Sequence, residues 1–269
     1  MGCCPYPNAT NCGNGFQCCP SGTTCTSIGG GGYSQVFKCS DSTVSKCTCK
    51  PGAPQPPSTS KKNVLVIGDS LSIGYTPPLA ANLSDVAQVV HAPWDFSDGG
   101  AEESAYLDQC LEFFLSSPSG LTWYPDVILF NSGMHNLVVN GTPGNGVTPG
   151  QSGNAADYLG PLTSATTRLV AFAAASGGKT KLVYTLTTPY LCDIATDSII
   201  HSQLNIQAAA LMATFGIPVL DPYSAIVAKC GTAPVKSCFG ENGCWCPHCP
   251  PGYSWLASTV LAPPLRKFL

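Results

Sequence analysis

Nine of the sixteen cysteines fall between Cys3 and Cys49. That stretch is otherwise rich in Gly, Ser and Thr and has almost no apolar periodicity. A segment so short and so poor in apolar side chains cannot build a core that offsets its ordering entropy, so covalent staples must hold it. Cysteines at this density point to disulfides and to an oxidising compartment. Three Asn-x-Ser/Thr sequons, at Asn8, Asn82 and Asn140, agree with that compartment. The expectation is a secreted or lumenal protein whose signal peptide is absent from the sequence as given, because Met1-Gly2-Cys3-Cys4-Pro5 has no hydrophobic signal region. Lipidation at Gly2 or Cys3 fits poorly, since Tyr6 stands where the acylation pattern needs Ser or Thr.

The rest of the chain is of another kind. Residues 1–50 form the Cys-rich module, 51–61 a Pro/Ser-rich linker, and 62–269 a larger domain. Val64-Leu65-Val66-Ile67 is a continuous apolar run, as in a strand buried on both faces. Similar runs recur at 86–90, 126–130, 181–186 and 217–220, with helix-like stretches at 102–115, 157–175 and 203–215. Strands alternating with helices predict a parallel sheet covered on both faces, with ligands at the carboxyl ends of the strands. The Gly-rich segment 141–153 has no apolar period and is expected to rim such a site. Only 10% of residues are charged and the net charge is −3, which gives no general basis for nucleic-acid binding. No apolar run reaches the roughly 18 residues that span a bilayer.

Four polar clusters follow predicted strands or precede a predicted helix. Gly68-Asp69-Ser70-Leu71-Ser72 ends the first strand and opens a helix, where a helix N-terminus favours a developing anion. Ser97-Asp98-Gly99-Gly100 follows the second strand, and its glycines let backbone N–H groups approach a ligand. Phe130-Asn131-Ser132-Gly133-Met134-His135-Asn136 follows the third. Near the end, Cys244-Trp245-Cys246-Pro247-His248-Cys249 places one histidine in a constrained loop. His91 and His201 read as surface or capping positions, and Asp69 as a hydrogen-bonding support for the turn at Ser70.

The spacing Cys3-Cys4, Cys12, Cys18-Cys19, Cys25 resembles the granulin repeat over about residues 3–25, departing at Asn11, where that family has a Cys. In their order, the four clusters resemble the SGNH (GDSL) hydrolases over about residues 62–260. That resemblance implies a three-layer α/β/α, flavodoxin-like fold and cleavage of carboxylic esters of lipids or carbohydrates, with no cofactor. It makes Ser70 the nucleophile and its N–H the first oxyanion donor, with Gly100 as the second and His248 as general base. The family has Gly-x-Asn-Asp in its third block. Here His135 takes the place of the Asn donor, and Asn136 is the alternative.

The fourth block usually carries Asp three residues before the His, where this chain has Trp245. Asp221 and Glu241 lie at other offsets. The preferred expectation is that the Trp245 carbonyl accepts from His248 Nδ1 and fixes the tautomer that lets Nε2 take the serine proton. Five cysteines around His248 raise a zinc reading, but they lack paired Cys-x-x-Cys spacing, and disulfides pinning the loop fit the compartment better. Expected partners are a small-molecule, polysaccharide or lipid ester and, for the Cys-rich module, a protein or polymer. Two alternatives stay open: an acyltransferase on the same residues, and a secreted binding protein whose catalytic site has decayed.

Overall fold

A computed structural model describes residues 10–11, 18–19, 24–29, 36–39, 60–92, 101, 103–115, 124–137, 155–243 and 248–269. In the Cys-rich region two short antiparallel pairs are described. β1 (Thr10–Asn11) pairs with β2 (Cys18–Cys19), and β3 (Cys25–Gly29) with β4 (Val36–Cys39). Cys25 is disulfide-bonded.

The larger unit is built on five parallel strands. They are β5 (Lys62–Ile67), β6 (Ala87–Ala92), β7 (Val127–Phe130), β8 (Lys181–Thr185) and β9 (Val219–Leu220), in the spatial order β6-β5-β7-β8-β9. Each expected apolar run is a strand, with its ends moved by a few residues. The last strand starts at Val219 and not at Ile217, because Pro218 has no N–H to give to the ladder; its carbonyl still accepts from Tyr184 N at 2.9 Å.

Alternation along the strands sorts the side chains into two cores. Leu65, Ile67, Ile128 and Phe130 face one side, where they pack with α2 (Ser104–Leu115), α3 (Leu159–Ala175) and the run 194–214. Val64, Val66, Val127 and Leu129 face the other, against α1 (Ser70–Leu83) and the C-terminal helices. All eight of these strand residues are 0% exposed, as expected for parallel strands covered on both faces. The run 194–214 comprises α4 (Ile194–Ile199), a π-helical turn (Ile200–Asn205) and α5 (Ile206–Thr214), so it begins well before the expected 203. Then follow α6 (Pro222–Cys230) and the hairpin of β10 (Ser237–Cys238) with β11 (Glu241–Asn242). The chain closes with α7 (Pro250–Trp255), a second π-helical turn (Leu256–Leu261) and α8 (Ala262–Leu265).

Two anchors set the direction of this last run. Tyr253 packs against Gly74 so closely that a Cβ on Gly74 would lie 2.3 Å from the ring. At the far end Arg266 donates to both carboxylate oxygens of Asp85, at 2.9 and 2.8 Å, and to the Asn82 carbonyl at 2.7 Å. The 250–265 run and α1 therefore lie side by side and point the same way. Both helix N-termini sit at the carboxyl edge of the sheet. The strand order adds a second constraint. The chain leaves β5 to one side for β6 and crosses to the other side for β7, which makes the carboxyl ends of β5 and β7 the topological switch point where ligands bind in such sheets.

Candidate active site

The turn after β5 is tightly built. Gly68 admits no side chain: a Cβ there would sit 2.8 Å from Ser72 Oγ. Its carbonyl accepts from Ala101 N at 2.7 Å, tying the turn to the chain that enters α2. Asp69 is fully buried and caps α1, its Oδ1 accepting from Leu71 N at 3.0 Å. This is the supporting role expected of it. Oδ2 has no hydrogen-bond partner among the described residues, and the same holds for the buried Tyr75 hydroxyl. Burial pushes the Asp69 carboxyl up, while the charge of His135 works in the opposite direction. Ser70 is the exposed first residue of α1, so its hydroxyl meets solvent at the switch point.

The loop after β7 is held from below. Asn131 donates from Nδ2 to the Thr185 carbonyl at 2.9 Å, joining the ends of β7 and β8. The Ser132 carbonyl gathers the hydroxyls of Tyr158 (2.9 Å), Tyr184 (2.8 Å) and Thr187 (3.3 Å). Burial raises both tyrosines, Tyr184 to about 12, so the cluster stays neutral. Gly133 turns the chain at φ +149°, and Asn136 N closes the turn on the Gly133 carbonyl at 2.9 Å. The Asn136 side chain is committed elsewhere: Oδ1 accepts from Ser104 N at 3.1 Å and Nδ2 donates to Ser104 Oγ at 3.2 Å. His135 is half-buried.

His248 is half-buried and precedes α7. Its Nε2 lies 3.2 Å from Thr188 Oγ1. No hydrogen bond joins His248 to Ser70 among the described residues. Burial lowers His248 from 6.5 to about 4, so the ring is neutral at pH 7. Thr188 belongs to a segment that is clamped from several sides. Asn205 accepts from Thr187 N and donates to the Thr187 carbonyl, both at 2.9 Å. Asp197 takes Tyr190 N and the Tyr223 hydroxyl, each at 2.8 Å. Cys249 is buried and disulfide-bonded, and it packs on the Cys230–Cys238 disulfide. Those three sulfurs are oxidised, which removes them as thiolate ligands for zinc.

Gly99, Gly100, Trp245 and the 141–153 segment lie outside the described residues. Of the other carboxylates weighed for the triad, Asp221 is used as the cap of α6, accepting from Ser224 N at 2.9 Å and Ser224 Oγ at 2.6 Å. Glu241 is exposed on the β10–β11 hairpin. Of the two histidines expected at surface or capping positions, His201 is at the surface and His91 is not. His91 is half-buried against Ser72, and exposed His201 stacks on Tyr223 within the π-helical turn. Thr188 and Asn205 carried no sequence signal, since their partners lie 60 and 18 residues away.

The strand order and the two helical layers define a three-layer α/β/α fold of flavodoxin-like type, with the serine turn at its switch point. The fold is similar to that of an acetyl xylan esterase, with a TM-score of 0.51 and 13% identity over 72% of this chain and 96% of the other. A GDSL-like lipase from Bacteroides thetaiotaomicron matches at TM-score 0.48 and 15% identity, over 79% of this chain and 92% of the other. A carbohydrate esterase family 3 protein from Talaromyces cellulolyticus matches at 0.48 and 15%, over 77% and 97%. At 13% identity the likeness to the acetyl xylan esterase is one of fold. Residues 1–31 match the granulin family, a longer stretch than the cysteine spacing alone covers. No curated protein matches the chain by sequence.

Proposed function

We propose that this chain is a secreted serine esterase that cleaves carboxylic esters of lipids or carbohydrates through an acyl-enzyme. The observation that carries the reading is the exposed Ser70 hydroxyl at the N-terminus of α1, at the switch point of the sheet, with His248 at the N-terminus of the parallel C-terminal helical run. The cysteine-dense module and the sequons support secretion. Disulfides at Cys25, Cys110, Cys192, Cys230, Cys238 and Cys249 support an oxidising compartment.

In this mechanism Ser70 Oγ attacks the ester carbonyl carbon as its proton passes to His248 Nε2. The ring leaves Thr188 to do so. A neutral imidazole with a value near 4 is ready to accept the proton at pH 7. The carbonyl electron pair moves onto oxygen. The resulting oxyanion is held by the Ser70 and Gly100 amides and by the His135 ring N–H. His135 is preferred over Asn136 because both ends of the Asn136 carboxamide engage Ser104. Each such donor is worth about 2.7–4 kcal/mol in the transition state. The carbon–oxygen bond to the alcohol then breaks, and the alcohol takes the proton from His248. Water repeats the sequence on the acyl-Ser70 ester and frees the acid. The Trp245 carbonyl is assigned to His248 Nδ1, where it holds the tautomer without supplying a negative charge. The Cys-rich module is assigned a protein or polymer partner.

The test is hydrolysis of p-nitrophenyl acetate and a longer-chain ester by the oxidised protein, beside Ser70→Ala and His248→Ala. Loss of turnover in both variants is the expected result. Turnover that survives Ser70→Ala overturns the reading. Product analysis with an added acceptor alcohol separates hydrolysis from acyl transfer.

A further inference from the structure

The shortest Ser–His contact described in this domain is not the proposed catalytic pair. Ser72 Oγ lies 2.6 Å from His91 Nε2, two residues from the nucleophile. Ser72 is 0% exposed, so it cannot meet an ester and is no rival to Ser70. Its hydroxyl also lies 2.6 Å from the Asp69 carbonyl oxygen, to which it donates.

A hydroxyl has one proton. Two oxygens at 2.6 Å need a proton between them, so the Ser72 proton lies on the path to Asp69. Ser72 Oγ is then the acceptor for His91, and Nε2 carries the hydrogen. The result is a directed chain: His91 Nε2–H to Ser72 Oγ–H to the Asp69 carbonyl. That carbonyl belongs to the peptide whose N–H is the Ser70 amide. Any group that bonds the carbonyl end of a peptide fixes its plane and polarises its N–H, and successive bonds strengthen one another.

The placement of His91 suits this role. In the parallel pairing of β5 with β6, Val66 stands beside His91, and both lie on the α1 side of the sheet. His91 is the second-last residue of β6, near the carboxyl end of the strand that precedes Gly99 and Gly100 in the sequence. The chain that follows them is tied to the same turn by the Ala101 N bond to the Gly68 carbonyl, at 2.7 Å. The serine turn is thus tied to the end of β6 through His91 and to the start of the α2 segment through Ala101.

We infer that His91 is a positioning residue that acts through Ser72 to fix and polarise the Ser70 amide as an oxyanion donor. This rests on the esterase reading. His91 touches no substrate; its effect falls on the transition state, where the oxyanion exists, and not on the ground state.

The experiment measures kcat and KM for p-nitrophenyl acetate in the parent, Ser70→Ala, Ser72→Ala, His91→Leu, His91→Gln and the Ser72→Ala/His91→Leu double variant, with melting temperatures alongside. Ser72→Ala and His91→Leu should each lower kcat about tenfold or more, with KM changed less than about threefold, as expected for a partly lost oxyanion donor. His91→Gln keeps an N–H donor and should recover most of that loss, even where its melting temperature equals that of His91→Leu. The double variant should be no slower than the slower single, because both changes cut one chain. Parent-like kcat in His91→Leu overturns the proposal while Ser70→Ala remains dead. So do additive losses in the double variant, or equal losses in the Gln and Leu variants. If His91→Leu does not fold, Ser72→Ala alone decides, since it removes one buried oxygen; unchanged kcat there is a refutation. Activity retained in Ser70→Ala sinks the esterase reading itself, and this proposal with it.

Discussion

Gly133→Ala tests the floor of the site without assuming any chemistry. Gly133 has φ +149°, a conformation that residues with a Cβ rarely adopt. Forcing an alanine into it costs about 1–3 kcal/mol. The new Cβ would also sit 2.3 Å from Thr187 Oγ1, 3.4 Å from Thr187 Cβ and 3.7 Å from the Tyr158 hydroxyl oxygen. Thr187 has little room to yield. It is 1% exposed, Asn205 grips its N–H and its carbonyl, and its hydroxyl reaches the Ser132 carbonyl. Overpacking of this sort costs about another 1–3 kcal/mol. The sum is about 2–6 kcal/mol, and at about 2–4 °C per kcal/mol for a domain of this size the melting temperature should fall by about 4–24 °C.

Thermal and urea unfolding of the single variants and of Gly133→Ala/Thr187→Ala would separate the two parts. Thr187→Ala removes the oxygen in conflict, so the double variant should regain about 1–3 kcal/mol against the sum of the singles, leaving the backbone part in place. A Gly133→Ala protein that melts with the parent, or a double variant with no recovery, would refute this account of the loop.

Three further outcomes are expected. Asn205→Leu leaves the buried Thr187 N–H and carbonyl unpaired and should destabilise by about 2–6 kcal/mol in urea unfolding, at about 1–3 kcal/mol for each orphaned group. His248 is held near 4 in the folded chain against 6.5 unfolded, so the unfolded chain takes up the proton first as pH falls. The stability this contributes is fully present above pH 6.5 and is lost between pH 6.5 and 4, by up to about 3 kcal/mol; a His248→Phe protein should show a flatter slope there. Removing the Cys230–Cys238 disulfide, whose cysteines are 8 residues apart, should cost about 2–3 kcal/mol, and equal unfolding midpoints for the parent and Cys230→Ala/Cys238→Ala would contradict it.

The sheet was legible because its central strands hold continuous apolar runs: Val64–Ile67 and the run ending at Phe130 are strands of the expected kind. The serine turn was legible from Gly68-Asp69-Ser70, where a glycine, a capping acid and a small polar residue follow a buried strand. One helix outside the expected stretches is marked in the sequence by its cap. Asp221-Pro222 is a cap followed by a proline at the first helical position, and α6 begins there. The π-helical turns had no such marker. They continue the apolar pattern of their neighbours, and one of them carries Asn205 to Thr187. What escaped most completely was pairing across distance. Nothing local to His91 announces Ser72, and nothing local to His248 announces Thr188. The parallel strands and the paired direction of α1 and the C-terminal run create those meetings, and topology is what a linear pattern shows least.

The central claim is that Ser70 is the nucleophile and His248 its base. Its most direct test is labelling of the oxidised protein with a fluorophosphonate, read by intact mass and by peptide mapping. The account predicts a single adduct, on Ser70, absent in Ser70→Ala and formed far more slowly in His248→Ala. An adduct on another serine, or ester cleavage by a protein that takes no adduct at all, would contradict it.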